Sequence, residues 1–311
     1  MSNTTAIQAA ALWGISAQNL TLAARRENTV YKAHKNGMAY ALRLHRPGYR
    51  TKTELLSELQ WMEVLALNGM DVPLPEPTLA GTLIDMVGDI PVSLLSWMPG
   101  APSGSGDRLD VDDPPNFARA LGRALARMHE ITDDWTPPAG FSRPSWDLDG
   151  LLGPHPLWGP FWENPDLTPD EAELLRHTRD KAHEMLDRLR AELDFGLIHA
   201  DIITENVLTE GSRVGLIDFD DGGWGFRAFE LATFLMRFLG HADYDVLRGA
   251  LLDGYAQRAT FDPKIMDFFI LLRALTYPGW IIPRRNEPGG RARSLLAVRT
   301  AVPLARAFLA D

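Results

Sequence analysis

The feature that most limits what this chain can fold into is a change of hydrophobic period part-way along it. Up to residue 97 apolar and polar residues alternate in short runs, "LTLAA", "TVYKAHK" and "MAYALRLH", followed by "TLIDMVGDIPVSLLSWM". Alternation in twos turns one face of a strand toward a core. Asn36-Gly37 stands between two of these runs and Gly88-Asp89 inside a later one, and both dipeptides read as hairpin turns. Residues 6 to 17 read as a short helix. A longer one lies in "TKTELLSELQWMEVLALNG", where Thr51 and Glu54 make a capping box, apolar residues recur at 55, 59, 62 and 65/66, and Asn68-Gly69 ends the pattern. The first 97 residues therefore predict an antiparallel sheet with one helix laid across it.

Residues 99–115 are rich in Pro, Gly, Ser and Asp without periodicity, which predicts a linker or surface loop. Beyond them the spacing lengthens to threes and fours. Phe117, Leu121, Ala124, Leu125 and Met128 mark one helix, and Thr168, Pro169 and Glu171 open another whose inner face carries residues 175, 178, 182, 185 and 189. Residues 132–167, crowded with proline and tryptophan, predict a long loop packed by its aromatics. Strands first and helices second make an α+β chain, divided into residues 1–97 and 98–311.

Composition then excludes whole classes of function. A chain of 311 residues with 45% hydrophobic content can bury a sizeable core. It contains no cysteine, so disulfides, thiolate metal sites and cysteine nucleophiles are ruled out, and a reducing cytoplasm is the compartment expected. A net charge of −10 argues against a nucleic-acid partner, and no apolar run approaches the ~18 residues that would predict a membrane span. The charge is uneven. From Leu271 to Asp311 arginines 273, 284, 285, 291, 293, 299 and 306 face only Glu287 and Asp311, either as a solvated face or as a wall that binds an anion or carboxylate.

Chemistry concentrates in "LIHADIITENVL", residues 197–208, and "RVGLIDFDD", residues 213–221. His199, Asp201 and Asn206 follow one apolar run, and Asp218 lies at the end of a second that would pair with "VL" as a hairpin through Glu210-Gly211. A carboxylate to orient a hydroxyl and oxygen ligands for Mg²⁺ are what phosphoryl transfer needs from a protein. Asp201 suits the first role; Asn206 and Asp218 suit the second.

The spacing His-x-Asp-x-x-x-x-Asn, with an Asp-Phe-Gly-like motif at Asp218, resembles the protein-kinase-like superfamily and within it the group of aminoglycoside phosphotransferases, choline kinases and type II homoserine kinases. The resemblance extends over nearly the whole chain. It implies a two-lobed fold, with an antiparallel-sheet nucleotide-binding lobe over 1–97 and a mostly helical catalytic and substrate-binding lobe over 98–311, and it implies ATP and Mg²⁺. It places Arg43 of "YALR" where these kinases carry a lysine for the α/β-phosphates, so an arginine replaces the usual residue. Its partner would be Glu58, since Glu54 is committed to the capping box. The loop "AARREN" would cover the phosphates without the usual glycines, Asn28 matches the family's Glu-Asn-x-x-Tyr, and Ser96 to Met98 sit where a hinge backbone reads adenine. His199 would support the loop, Glu230 would brace it, and Asp220 replaces the glycine of the metal motif as a second metal-site group, an amine contact or a turn cap.

The acceptor expected is a small-molecule hydroxyl. An aminoglycoside is a polycation, whereas the C-terminal segment presents arginines. Arg273, Tyr277, Trp280 and Arg284 would share a face if helical, although Pro278 and Pro283 interrupt it, and they favour a hydroxy amino acid or amino alcohol. The alternatives are a protein serine/threonine kinase of the same fold, a non-catalytic nucleotide-binding regulator, and a metallohydrolase built on His199, Asp201, Asp218 and Asp220. Oligomeric state leaves no mark in the sequence.

Overall fold

The computed structural model describes residues 3–25, 28–256 and 263–310. In chain order the elements are α1 (Asn3–Ala11), β1 (Leu20–Arg25), β2 (Thr29–Lys35), β3 (Met38–Leu44), α2 (Lys52–Leu67), β4 (Pro75–Glu76), β5 (Asp85–Val87), β6 (Ile90–Ser96), β7 (Ala101–Pro102), β8 (Gly104–Ser105), β9 (Arg108–Leu109), α3 (Pro114–Asp133), β10 (Ser145–Trp146), α4 (Leu148–Leu152), α5 (Pro169–Leu189), β11 (Phe195–Ile198), β12 (Val207–Glu210), β13 (Arg213–Leu216), β14 (Gly223–Phe226), α6 (Arg227–Leu235), α7 (Tyr244–Tyr255), α8 (Pro263–Trp280) and α9 (Gly290–Ala310). They form two compact units. The first comprises residues 1–105, 127–143 and 205–220, and the second 106–126, 144–204 and 221–311.

In the first unit an antiparallel sheet runs in the order β1-β2-β3-β6-β4, with β5 also on β6. Asn36 and Gly37 both take positive φ, 53° and 79°, the conformation that lets two residues reverse a twisted hairpin. Alternation along β3 decides what faces what. Tyr40, Leu42 and Leu44 join the core made with Ala6, Ala9 and Ala10 of α1, so Arg43 goes to the opposite face. The helix α1 stops at Ala11, short of the expected residue 17, because a turn through Gly14 at φ 68° redirects the chain. The capping box of Thr51 and Glu54 is formed, and α2 buries Leu55, Glu58, Leu59, Met62 and Leu65.

The stretch 99–115 is more ordered than a linker. Its first residues pair with the later hairpin, β7 antiparallel to β12 at Ala101↔Thr209 and Pro102↔Leu208. Gly100 makes this approach possible: it sits at φ +93°, and a Cβ there would lie 2.6 Å from the Thr209 carbonyl oxygen. The hairpin β12–β13 closes through Gly211 and Ser212, one residue later than expected, with Glu210 opposite Arg213.

In the second unit β14 lies between β10 and β11. The helices α3 and α7 meet where glycines remove side chains: a Cβ on Gly122 would lie 2.1 Å from the Leu251 carbonyl oxygen, and one on Gly254 2.1 Å from that of Arg119. Thr168, Pro169 and Glu171 open α5 with a capping box, and its buried face is Leu175, Thr178, Ala182 and Leu186, so Leu186 replaces the expected 185 and 189. The helix α8 passes through Pro278 to Trp280. The carbonyls at its end are taken by side chains, Asn164 Nδ2 donating to Pro278 O at 2.7 Å and Arg284 Nη1 to Trp280 O at 3.0 Å. Among the described residues no helix is long and apolar enough to cross a membrane.

Candidate active site

Within the first unit the face of β3 turned away from α1 delivers Arg43 into a cluster of charge. Its Nη1 donates to Glu58 Oε1 at 2.7 Å, and Glu58 is fully buried on α2. Arg43 Nη2 lies 3.7 Å from Asp218 Oδ1 and 3.8 Å from Asp220 Oδ1. A second guanidinium, Arg143 Nη1, stands 3.6 Å from Glu58 Oε2. Burial alone would push the Glu58 carboxyl up; the two arginines outweigh it and hold it below the ordinary range. Burial would likewise ease the proton off Arg43, but the carboxylates of Glu58, Asp218 and Asp220 bind it more firmly. His45, just beyond the end of β3, is pushed down to about 3 by burial and by Arg43, so it stays neutral, its Nε2 2.9 Å from Ser93 Oγ.

Asn206 and Asp218 come together through the register of the hairpin. Val207 pairs with Leu216, and one step outward Ile217 N donates to the Asn206 carbonyl at 3.0 Å, so Asp218 follows directly at the same end. Asp218 holds φ +68°, an uncommon conformation for a residue with a Cβ. Its side chain is 54% exposed whereas Asn206 is buried. A carboxylate and a carboxamide are hard oxygen donors of the kind Mg²⁺ takes, and the turn that holds Asp218 presents it outward. That turn is fixed by Arg143, whose Nη2 donates to the carbonyls of Phe219 at 2.9 Å and Asp220 at 2.7 Å while Nη1 donates to Glu54 O at 3.0 Å. Arg143 has no counterpart in the sequence-based expectations. Its partners are mostly main-chain carbonyls, which leave no pattern to read.

Of the remaining first-unit candidates, Asn28 and Ser96 have hydrogen-bond partners of other kinds. Asn28 Oδ1 accepts from Arg46 N at 3.2 Å; Arg26 and Glu27, in the loop expected over the phosphates, lie outside the described residues. Ser96 N donates to Leu74 O at 2.8 Å, Ser96 Oγ accepts from Leu74 N at 2.8 Å, and Trp97 N donates to Ala39 O at 3.1 Å. Among the described residues the main chain of Met98 has no such partner.

Within the second unit β11 ends at Ile198, and the next two residues hang from one side chain. His199 N and Ala200 N donate to the two carboxylate oxygens of Glu230, each at 2.7 Å. Ala200 holds φ +64°, and the paired bonds compensate for that conformation. Glu230 is fully buried on α6; burial raises its carboxyl pKa, opposed by His199 and by the two N–H donors. His199, also fully buried, accepts from Asp201 N at Nδ1, 3.3 Å away, which makes it a support for the loop. Asp201 is left with its side chain 19% exposed, and Arg273 Nη2 of α8 donates to its Oδ1 at 2.9 Å. Arg273 is buried and paired, where the sequence suggested a residue turned toward substrate. Among the described residues no group of three or more His, Asp or Glu side chains is placed to hold a metal, which gives the metallohydrolase alternative no support.

The first unit carries a buried arginine–glutamate pair and the second a loop-borne aspartate braced from a helix, and comparison with known proteins makes the chain a kinase. The chain belongs to the phosphotransferase enzyme family, whose model matches residues 20–273. It is 25% identical to an amicoumacin kinase of Bacillus subtilis over 85% of this chain and 73% of the relative. It is 31% identical to a homoserine kinase of a Chelativorans species over 74% of this chain and 67% of the relative. Among solved structures a microcompartment-associated aminopropanol kinase superposes with a TM-score of 0.84 at 26% identity, over 99% of this chain and 98% of the other. The similarity to a spectinomycin phosphotransferase, TM-score 0.58 at 16% identity, is one of fold.

Proposed function

We propose that this phosphotransferase moves the γ-phosphate of ATP to a hydroxyl of a small molecule, a hydroxy amino acid or amino alcohol in preference to an aminoglycoside. The observation that carries the reading is Asp201, partly exposed on a loop that Glu230 suspends by two hydrogen bonds. A carboxylate held in this way can orient an acceptor hydroxyl and take its proton as the phosphoryl group departs from ADP. Bound Mg²⁺ would neutralise charge on the phosphates, with Asn206 and Asp218 as its protein ligands. Arg43, held by Glu58, would contact the α/β-phosphates; Asn28 would order the covering loop, and the main chain from Ser96 to Met98 would read adenine, with Met98 the best placed because its peptide groups are uncommitted. On this reading residues 1–97 carry most of the nucleotide contacts and 98–311 the catalytic and acceptor contacts, and the enzyme works in the cytoplasm without a nucleic-acid or membrane partner.

The acceptor class is supported by relatives named for homoserine and aminopropanol, and by the character of the second unit. Guanidinium groups crowd two aromatic side chains of α8: Arg237 and Arg273 lie over Tyr277, and Arg284 and Arg293 over Trp280. Arg273 and Arg284 are buried, and the positive charge of the group as a whole disfavours a polycation.

The test is ATP consumption with L-homoserine, L-threonine, aminopropanols, ethanolamine, aminoglycosides and a protein substrate, with Asp201→Asn as the control. We expect turnover of an amino alcohol or hydroxy amino acid, and in Asp201→Asn a loss of about 10³-fold in kcat with MgATP still bound. Full activity in that variant would remove the mechanism; transfer to protein alone would move the enzyme to the protein-kinase alternative.

A further inference from the structure

Arg273 is a charged residue in a helix that is otherwise apolar around it: Phe268, Phe269, Ile270, Leu271, Leu272, Ala274 and Leu275 are all buried, and so is Arg273 itself. Its guanidinium carbon lies 4.5 Å from the ring centroid of Trp158, 4.8 Å from that of Tyr277 and 5.4 Å from that of Phe229. Packed against three ring faces, the planar group has little freedom to turn. Both of its hydrogen bonds leave from Nη2, to Asp201 Oδ1 at 2.9 Å and to the Tyr277 hydroxyl at 3.2 Å. Nε and Nη1 are buried without a hydrogen-bond partner among the described residues.

An arginine kept only for stability would be expected to satisfy its donors, because unmet N–H groups in an apolar cage are costly. This one leaves two atoms unmatched and sends its Nη2 to the carboxylate to which the acceptor hydroxyl is assigned above. The Tyr277 hydroxyl is in turn met by Arg237 Nη2 at 3.2 Å, so the arrangement is braced from a second side.

We propose that Arg273 is a positioning residue for phosphoryl transfer, an aromatic-caged guanidinium that holds the Asp201 carboxylate in a single orientation toward the acceptor hydroxyl. The proposal rests on the role given to Asp201 above. Its effect belongs in kcat, since Arg273 acts through Asp201 and not on the nucleotide.

The experiment uses the full chain with MgATP and L-homoserine, or water as acceptor where L-homoserine is not turned over, and Asp201→Asn sets the floor. In Arg273→Met, a side chain of similar length that can lie among rings, we expect kcat to fall about 100-fold while the KM for ATP stays within about twofold. Arg273→Lys, which restores charge without the planar fork, should keep about a tenth of the activity. Guanidinium ion at non-denaturing concentration should raise the rate of Arg273→Ala by about tenfold or more, and should do nothing for Asp201→Asn. A folded Arg273→Met with kcat within about threefold of the parent, beside an inactive Asp201→Asn, would overturn the proposal and leave Arg273 as a core counter-ion. So would a loss that neither lysine nor guanidinium reverses. If the Met and Ala variants do not fold, Arg273→Lys decides: lowered kcat at unchanged KM for ATP supports the proposal, and unchanged kcat removes it. An active Asp201→Asn would instead count against the role of Asp201 itself.

Discussion

Replacing Glu58 by glutamine removes one negative charge from between two buried guanidinium groups while keeping the shape of the side chain. In the parent, Glu58 Oε1 is 2.7 Å from Arg43 Nη1 and Oε2 is 3.6 Å from Arg143 Nη1, with all three side chains at 6% exposure or less. At an effective dielectric of about 20 each such contact represents about 4 kcal/mol of gross attraction. Against this, a charged carboxylate at full burial costs several kcal/mol that the amide does not, and the amide can still accept from Arg43 for about 1 kcal/mol. Asp218 and Asp220 remain within 4 Å of Arg43, but Arg143 meets the amide N–H₂ as donor against donor. The balance is a destabilisation of about 3 kcal/mol, at the lower end of what removing one partner of a buried ion pair does. Urea unfolding at pH 7 reads it as a midpoint lowered by about 1 M if the slope is about 3 kcal/mol/M. The pH dependence sharpens the test. Because the folded state holds the Glu58 carboxyl below its unfolded value of 4.5, its contribution is fully present above that pH and is lost as the pH falls through the folded value. Parent and variant should therefore differ in full from pH 7 down to about 5, and the difference should shrink below about 4.5 and close only under the folded value. A variant within about 0.5 kcal/mol of the parent at pH 7 would refute the idea that the carboxylate compensates both arginines.

Two further outcomes follow from the same geometry. Asp218→Asn keeps the side-chain shape but weakens the oxygen donor expected on Mg²⁺, so the Mg²⁺ concentration giving half-maximal activity should rise about 10-fold or more, read by titrating the metal at saturating ATP; an unchanged requirement would remove Asp218 from the metal site. Glu230→Ala leaves the N–H groups of His199 and Ala200 without acceptors in the interior, and thermal or urea unfolding should show a loss of about 3 kcal/mol, while a neutral result would mean that the loop is held by other contacts.

Elements whose cause is local chemistry were legible from the sequence. The Asn36-Gly37 turn and the capping boxes at Thr51/Glu54 and Thr168/Glu171 each depend on residues within a few positions of one another. The pairing of Arg43 with Glu58 was legible for a different reason: the family resemblance calls for a basic residue at this place and a glutamate on the crossing helix, and the capping box commits Glu54 and leaves Glu58. Long-range contacts made by the main chain were not. Two-residue β7 hides in a Pro/Gly-rich loop and exists because Gly100 lets the backbone approach Thr209. Arg143 sits in an aromatic loop, and its hydrogen bonds go to carbonyls 76 and 77 residues away. Arg273 was visible as an arginine in an apolar run, but its partner lies 72 residues earlier, a separation that helical spacing does not report. Pro278 suggested a break, and the carbonyls near it are instead satisfied by Asn164 and Arg284.

The two units are not contiguous: the chain passes from one to the other after residues 105, 126, 143, 204 and 220. During synthesis this imposes an order. When the first 105 residues have left the ribosome all strands of the sheet have been made, but β7 has no strand to pair with until residues 207–210 follow. Arg43 and Glu58 are made first, Arg143 next, and Asp218 and Asp220, which complete the charge cluster, last. A nascent or proteolytic fragment ending near 105 would carry the buried arginine–glutamate pair without the groups that enclose it, and long-range closures of this kind are slow and expose apolar edges while they wait. Most of the chain must be made before the first unit is finished, which makes the Asn206–Asp220 hairpin the last component of its assembly.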